Sequence, residues 1–322
     1  MQMLGRGDKP LLGFLGFAIL VFLFSISYGG NPPTDSSGNL SAQDSDATPA
    51  PAVVDAGPVS QGEVSLGSYE LKAETASQWK LPGRLREISG LAMTTDGRLL
   101  AHNDEWGVVY EIDPRDGSIT KGFQLADIAN PVAGDFEGIA VTDERIYLVT
   151  SSGRLYEFSE GADGESVLYN VYTTGIGRDC EMEGLAYDGS RRVLLLMCKG
   201  SRSAELKGKL AIYHWSIDEK RLSDPPRTVI PVVEFSGPIG EAKFQPSGIE
   251  RHPVSGHYFV VAARQKAVAE ITPEGRVLAV RRFPARWHRQ AEGITFAADN
   301  TLIIADEGAG AKARLTLYSV SD

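Results

Sequence analysis

Between residues 87 and 294 this chain repeats a short phrase that ends in Gly and an aliphatic residue, usually with a carboxylate directly before the Gly. The copies are Glu87-Ile88-Ser89-Gly90-Leu91, Asp135-Phe136-Glu137-Gly138-Ile139, Glu181-Met182-Glu183-Gly184-Leu185, Gln245-Pro246-Ser247-Gly248-Ile249 and Gln290-Ala291-Glu292-Gly293-Ile294. Their glycines lie 48, 46, 64 and 45 residues apart. That is the period of four-stranded blades, which bury their faces only by stacking on one another. The chain is therefore expected to be all-β, a five-bladed β-propeller in which each phrase begins an innermost strand.

Each copy opens onto strand-like runs separated by turn residues. In the second, Gly138-Ile139-Ala140-Val141 is followed by Thr142-Asp143-Glu144, Arg145 to Thr150, Ser151-Ser152-Gly153 and Arg154 to Phe158. Short β-branched and aromatic runs bounded in this way read as strand, hairpin, strand, turn, strand. The other copies turn at Thr95-Asp96-Gly97, Asp188-Gly189-Ser190, Pro253 to Gly256 and Ala298-Asp299-Asn300, where Asp-Gly and Asp-Asn accept positive φ or bond their own backbone. The fifth copy reaches the end of the chain after its third strand, Arg314 to Tyr318. A fourth strand is expected from Ser68 to Ala73, which would close the ring and cover an open edge. Six blades stay open as the alternative, because the 64-residue interval also holds strand-like runs at Leu210 to Trp215 and Thr228 to Phe235.

Ahead of the repeats, Pro10 to Tyr28 carries no charge and follows Arg6, Asp8 and Lys9. Leu11 to Phe24 suits the apolar region of a signal peptide, while the whole run approaches the ~20 residues that span a bilayer. Residues 1–28 are thus either a signal peptide cleaved after Ser27 or a retained transmembrane anchor. Both imply export: a propeller anchored in the inner membrane and facing the periplasm, or one released into it. Residues 29–65, rich in Pro, Ser, Asp and Gly and without an aromatic, read as a flexible linker, and 66–322 as the propeller. With 42 acidic against 32 basic residues and a net charge of −10, no nucleic-acid partner is expected. Arg281, Arg282, Arg286, His288 and Arg289, interleaved with Phe283 and Trp287, could form an anion-binding rim; the plainer reading is a solvated loop whose arginines pair with acids.

The five phrases, the segment Pro246-Ser247-Gly248-Ile249-Glu250-Arg251-His252-Pro253 and the closing Ala291-Glu292-Gly293-Ile294-Thr295 to Ile304-Ala305-Asp306-Glu307-Gly308 resemble the SdiA-regulated, YjiK-like family over essentially the whole globular part. The resemblance implies a five-bladed propeller that binds calcium, is distantly similar to NHL-repeat proteins and has no established biochemical activity.

In a blade, residues just before the first strand share a face with residues that end the second. Glu87, Glu137, Glu183 and Glu292 are therefore expected to converge with Asn103, Asp104, Asp306 and Glu307 at one channel mouth. Crowded carboxylates repel unless protonated or neutralised by a cation. Oxygen ligands without a Cys/His pattern select a hard ion such as Ca²⁺. The expected ligands are Glu87, Glu137, Glu183, Glu292, Asp104 and Asp306. Ser89 and Ser247 break the symmetry, which places the ion off-axis beside Glu137, Glu183 and Glu292. At any one position the acid or Ser could instead brace neighbouring blades by accepting backbone N–H bonds.

Cys180 and Cys198 flank the third hairpin with Gly189 midway between them. They are expected to face each other across the ladder and form a disulfide in an oxidising compartment, the alternative being two small buried side chains. Two functional classes remain. One is a calcium-dependent hydrolase of phosphoesters or lactones, with His102 beside Asn103-Asp104 as the candidate for proton transfer. The other, favoured because no nucleophile elbow, zinc helix, P-loop or dinucleotide fingerprint occurs, is a calcium-binding, non-enzymatic platform for a protein or glycan. It would be a monomeric domain that meets the membrane through its N-terminal segment.

Overall fold

The computed structural model describes residues 64–127 and 130–321, so the expectations for residues 1–28 and for 29–63 lie outside the described residues. Among the described residues no helix is long and apolar enough to cross a membrane. The strands form five sheets, each led by one of the repeated phrases. Blade 1 runs Ile88–Met93, Leu99–Asn103, Val108–Ile112 and Ile119–Asp127; blade 2 runs Phe136–Val141, Ile146–Thr150, Arg154–Phe158 and Tyr169–Thr173. Blade 3 is Cys180–Asp188, Val193–Ser201, Lys209–Ser216 and Arg221–Pro231, and blade 4 is Gly248–Arg251, Tyr258–Ala262, Ala267–Ile271 and Val277–Arg282. Blade 5 takes Ala291–Phe296, Leu302–Asp306 and Arg314–Tyr318 from the C-terminal end and Ala76–Lys80 from the N-terminal side.

Five blades, not six, account for the 64-residue interval. Its extra length goes into the long third and fourth strands of blade 3 and a short helical insertion, Val232–Ser236 and Gly237–Ile239. The run Leu210 to Trp215 lies in one of those strands, and Thr228 to Phe235 is split between a strand and the insertion.

Closure by an N-terminal strand holds, but the strand is not Ser68 to Ala73. Ala76 pairs with Tyr318, Trp79 with Leu315 and Lys80 with Arg314. Tyr69 contributes only a single bridge to Val320, and its OH donates to the Asn300 carbonyl at 2.8 Å. The alternation Tyr69-Glu70-Leu71 that resembles a strand instead drops Tyr69 and Leu71 into the seam between blades 4 and 5. A buried-exposed alternation does not by itself reveal whether the backbone pairs.

Burial explains the composition of the strands. The second strands of blades 2, 4 and 5 are buried throughout and read almost continuously apolar, whereas outer strands such as Tyr169–Thr173 and Val277–Arg282 have no fully buried residue. Five apolar clusters fill the five blade-to-blade seams. One joins Leu195 and Met197 of blade 3 to Val260 and Ala269 of blade 4, and another joins Leu91 and Leu99 of blade 1 to Ile303 and Leu315 of blade 5. Each blade thus completes its neighbour's core, which is why the repeats fold only as a ring.

The repeated Gly has a steric origin. A Cβ on Gly138 would lie 2.6 Å from the Leu185 nitrogen of the next blade, and one on Gly248 would lie 2.2 Å from the Glu292 carbonyl oxygen. Innermost strands approach too closely for any side chain there. The aliphatic residue after each Gly, Leu91, Ile139, Leu185, Ile249 and Ile294, is at most 3% exposed. All five line a central void of about 10 Å³, too small to pass more than a single water. The channel is pinched shut in its middle and open only as two mouths.

Candidate functional site

The carboxylate before each Gly is placed by a local irregularity of the sheet. In blades 1, 2, 3 and 5 the ladder slips between Ile88 and Gly90, Phe136 and Gly138, Met182 and Leu185, and Ala291 and Gly293. Ser89, Glu137, Glu183 and Glu292 sit within these bulges. An extra, unpaired residue in one strand re-aims its side chain, and here three of the four carry a carboxyl group toward the axis. Blade 4 has no bulge at this point. Its strand begins at Gly248, and Ser247 Oγ accepts from Ala263 N at 3.0 Å and donates to the Ala291 carbonyl at 2.7 Å. Ser247 therefore braces blades 4 and 5.

Glu137, Glu183 and Glu292 are brought together at one mouth, where Glu183 is only 3% exposed. Burial, then the negative charges of Glu183 and Asp135, holds Glu137 far above the ordinary carboxylate range. Burial likewise raises Glu183 and Glu292, Glu292 to about 7. Ser89 Oγ donates to Glu137 Oε2 at 3.4 Å and Gln290 Nε2 to Glu292 Oε1 at 2.9 Å. Lys199, absent from the sequence-based set, is ion-paired with Glu183. Its charge also lowers the pKa values of Glu137 and Glu292. Burial works against the Lys199 ammonium, but the bond to Glu183 and the surrounding acids outweigh it and raise its pKa.

Lys199 reaches Glu183 because blade 3 is irregular twice. Cys198 lies opposite Met182 and Gly200 opposite Glu181, which leaves Lys199 unpaired in the ladder. The one hint in the sequence is its place at the end of a second strand beside Cys198. The same irregularity corrects the expected cysteine register. Asp188 pairs with Val193 across a loop that includes Arg192 at φ 53°, so Cys180 opposes Ser201 rather than Cys198. The Cys180–Cys198 disulfide forms nonetheless, diagonally, with Cα atoms 5.7 Å apart.

Of the remaining expected residues, Glu307 is linked to Glu292 through Gln290, which donates to both; the others are placed differently. Glu87, Asp104 and Glu307 make a satellite group beside blades 1 and 5, where burial and then the Glu87 charge raise Asp104 to about 6. Glu87 lies two residues ahead of the bulge position, which Ser89 occupies, and pairs with Arg86 at 3.0 Å. Asp306 points the other way, into the core, where His288 Nδ1 lies 2.7 Å from its Oδ2 and Gln290 N donates to Oδ1 at 3.1 Å. His102 is fully buried behind Gly90, with its Nδ1 2.9 Å from the Asn103 carbonyl. A Cβ on Gly90 would meet its Nε2 at 2.5 Å. Burial lowers its pKa to about 4, so His102 is a neutral core residue rather than a member of the mouth.

Among the described residues no three His, Cys, Asp or Glu side chains are grouped so as to hold a metal ion, and Glu183 is already ion-paired with Lys199. The residues as arranged do not fit Ca²⁺, which requires six to eight converging oxygens.

Elsewhere, Glu250 at the opposite mouth accepts from Arg251 N at 2.7 Å and Thr295 Oγ1 at 3.3 Å and is raised by burial to about 8. A cavity of about 730 Å³ lies away from the channel on the outer strands of blade 1 beside Trp106, Tyr110 and Phe123. The basic run 281–289 only partly follows the plainer reading, since one of its arginines pairs with an acid and another is bonded to backbone carbonyls. Arg281 donates to the carbonyls of Leu66 and Tyr69 at 2.9 and 2.6 Å, Arg282 pairs with Glu241 at 2.7 Å, and His288 is buried.

No family model matches the chain, and no curated protein matches its sequence. Among solved structures, a glutaminyl cyclase from Myxococcus xanthus matches with a TM-score of 0.51 and 16% identity, over 77% of this chain and 97% of that one. A luciferin-regenerating enzyme gives a TM-score of 0.48 at 10% identity over 76% and 95% of the two chains. A streptogramin B lyase gives 0.45 at 13% over 75% and 97%. At such identities the likeness is one of fold, and function rests on the site.

Proposed function

We propose that this chain is a cell-envelope binding module, a propeller exported or anchored by residues 1–28. Its mouth at Glu137, Glu183, Glu292 and Lys199 would recognise a cationic group on a protein or glycan partner in the periplasm, without catalysis. The observation that carries this reading is the charge balance: three carboxylates with burial-raised pKa values share a single lysine. Perturbed carboxyls in a recess are costly in the free protein and are relieved by an incoming cation. A closed channel floor makes the mouth a seat rather than a passage.

Acid–base chemistry finds less support here. His102 is neutral and walled off by Gly90, and His214, His252, His257 and His288 bond within blades or seams rather than to the three glutamates. The resemblance to the SdiA-regulated, YjiK-like family implies calcium binding but no particular activity. The calcium it implies would have to displace Lys199 from Glu183, and so enters the proposal as a competitor for that seat.

The test pairs binding with turnover. Cationic ligands are expected to raise the melting temperature of the full chain in mild detergent, with the rise lost in Glu137→Gln. Phosphomonoesters, phosphodiesters and lactones are expected to go unhydrolysed with or without Ca²⁺. Hydrolysis that disappears in a folded Glu137→Gln or Glu183→Gln variant overturns the binding-module reading.

A further inference from the structure

Beside the three glutamates a recess of about 200 Å³ opens between blades 3, 4 and 5, lined by Lys199, Gln245, Ser247, Arg264, Arg289 and Glu292. Arg264 follows the second strand of blade 4, and Arg289 lies two residues before the first strand of blade 5. Both are exposed, and neither has an ion pair or side-chain hydrogen bond among the described residues. Arg289 thus departs from the pairing with acids expected of the run 281–289, and Arg264 stands beside it in the same recess. Their neighbours in sequence, Arg281 and Arg282, are held by carbonyls and Glu241. Ser247 and Gln290 are also committed, to backbone and to Glu292 and Glu307.

The recess is therefore bipolar. A simple anion drawn to Arg264 and Arg289 would meet the Glu292 carboxylate, and a simple cation drawn to Glu292 would meet Lys199 and both arginines. A ligand carrying both charges satisfies both sides. We propose that this recess binds a small zwitterion, a free amino acid or the end of a short peptide. Its carboxylate is held by Arg264 and Arg289 in the forked geometry guanidinium groups favour, and its ammonium is turned toward Glu292. The volume is below the ~300–1,000 Å³ of pockets for larger molecules, which limits the ligand to that class. This inference rests on the binding-module reading and names the ligand of the same mouth.

The experiment uses the full chain in mild detergent and titration calorimetry with glycine, β-alanine, γ-aminobutyrate and glycylglycine, a series that varies the distance between the charges. Acetate, propionate and ethylamine serve as single-charge counterparts. One zwitterion is expected to bind at least about tenfold more tightly than any single-charge probe. The Arg264→Gln/Arg289→Gln double variant should lose that preference while melting within about 1 °C of the parent, since both side chains are exposed. Acetate binding as tightly as every zwitterion, or a double variant with unchanged affinity, overturns the inference. Ethylamine binding that depends on Glu137 but not on the arginines also overturns it, while leaving the binding-module reading intact. Silence toward every probe, ethylamine and Ca²⁺ included, overturns both.

Discussion

Lys199 is ion-paired with Glu183, and both residues sit at irregularities of one hairpin, one on each strand. The pair is flanked by Cys180 and Cys198, whose disulfide ties the same two strands together. Local backbone irregularity has thus placed a cation inside a group of acids that would otherwise repel. The lysine is the neutraliser that the glutamates require.

Replacing Lys199 with Met should expose that dependence. Removing one member of a largely buried pair leaves the other uncompensated, a loss of up to about 3–5 kcal/mol when burial is complete. Since 35% of the Lys199 side chain is accessible, about 1–3 kcal/mol is expected at pH 8, or a melting point lower by roughly 3–10 °C. At pH 5, where the three glutamates are protonated, the loss should largely vanish. Millimolar Ca²⁺ should restore stability to Lys199→Met and shift the parent by less than about 1 °C; equal shifts in both proteins would show that Lys199 does not hold the seat.

Glu292 predicts a direction with pH. Its pKa rises from 4.5 to about 7 on folding, so the native state holds a proton that the unfolded chain releases. The penalty is absent below about pH 4.5, grows as pH rises and is complete above pH 7. Glu292→Gln should therefore be more stable than the parent at pH 8 by on the order of 1–2 kcal/mol, and equal to it near pH 4.5. Denaturant midpoints across pH 4.5–8 measure this, and a parent that gains stability over that range relative to the variant contradicts it.

Two glycines separate close approach from chain flexibility. Gly138→Ala forces a Cβ to within 2.6 Å of the Leu185 nitrogen, whereas a Cβ on Gly83 meets nothing within 4 Å. The first should cost about 2–3 kcal/mol, as for overpacking of a rigid core. The second should be neutral within about 0.5 kcal/mol. Chemical denaturation of the two variants is sufficient, and equal costs would remove the steric account of the repeat.

Loss of the Cys180–Cys198 disulfide should destabilise by about 2–3 kcal/mol through the unfolded chain. The Cys180→Ser/Cys198→Ser variant should melt lower by roughly 5–10 °C and keep its blade count. Denatured, unreduced parent should show no reactive thiol; two would contradict the bridge.

Much of this molecule can be read along the chain. Glycines at blade spacing gave the ring, and the carboxylates before them gave Glu137, Glu183 and Glu292. The cysteine pair was recognisable, although its register was not, because bulges displace the ladder by amounts that residue spacing does not record. Strand-end position alone assigns Glu87 and Asp306 to the same group. One sits a step outside the bulge, and the other faces the core toward His288. Lys199 escaped notice because its significance comes from one unpaired position.

Sequence by itself determined the repeat, and with it the all-β ring, the seams and the end of the channel where acids gather. These follow from periodicity, since each blade must bury its faces on the next. Tertiary structure alone decided that Ala76–Lys80 closes the ring, that the channel is pinched shut, and that Lys199 pairs with Glu183 beside the other acids. Those outcomes depend on which backbone groups pair and where a ladder slips by one residue. Such choices are made by contacts between segments far apart in the chain.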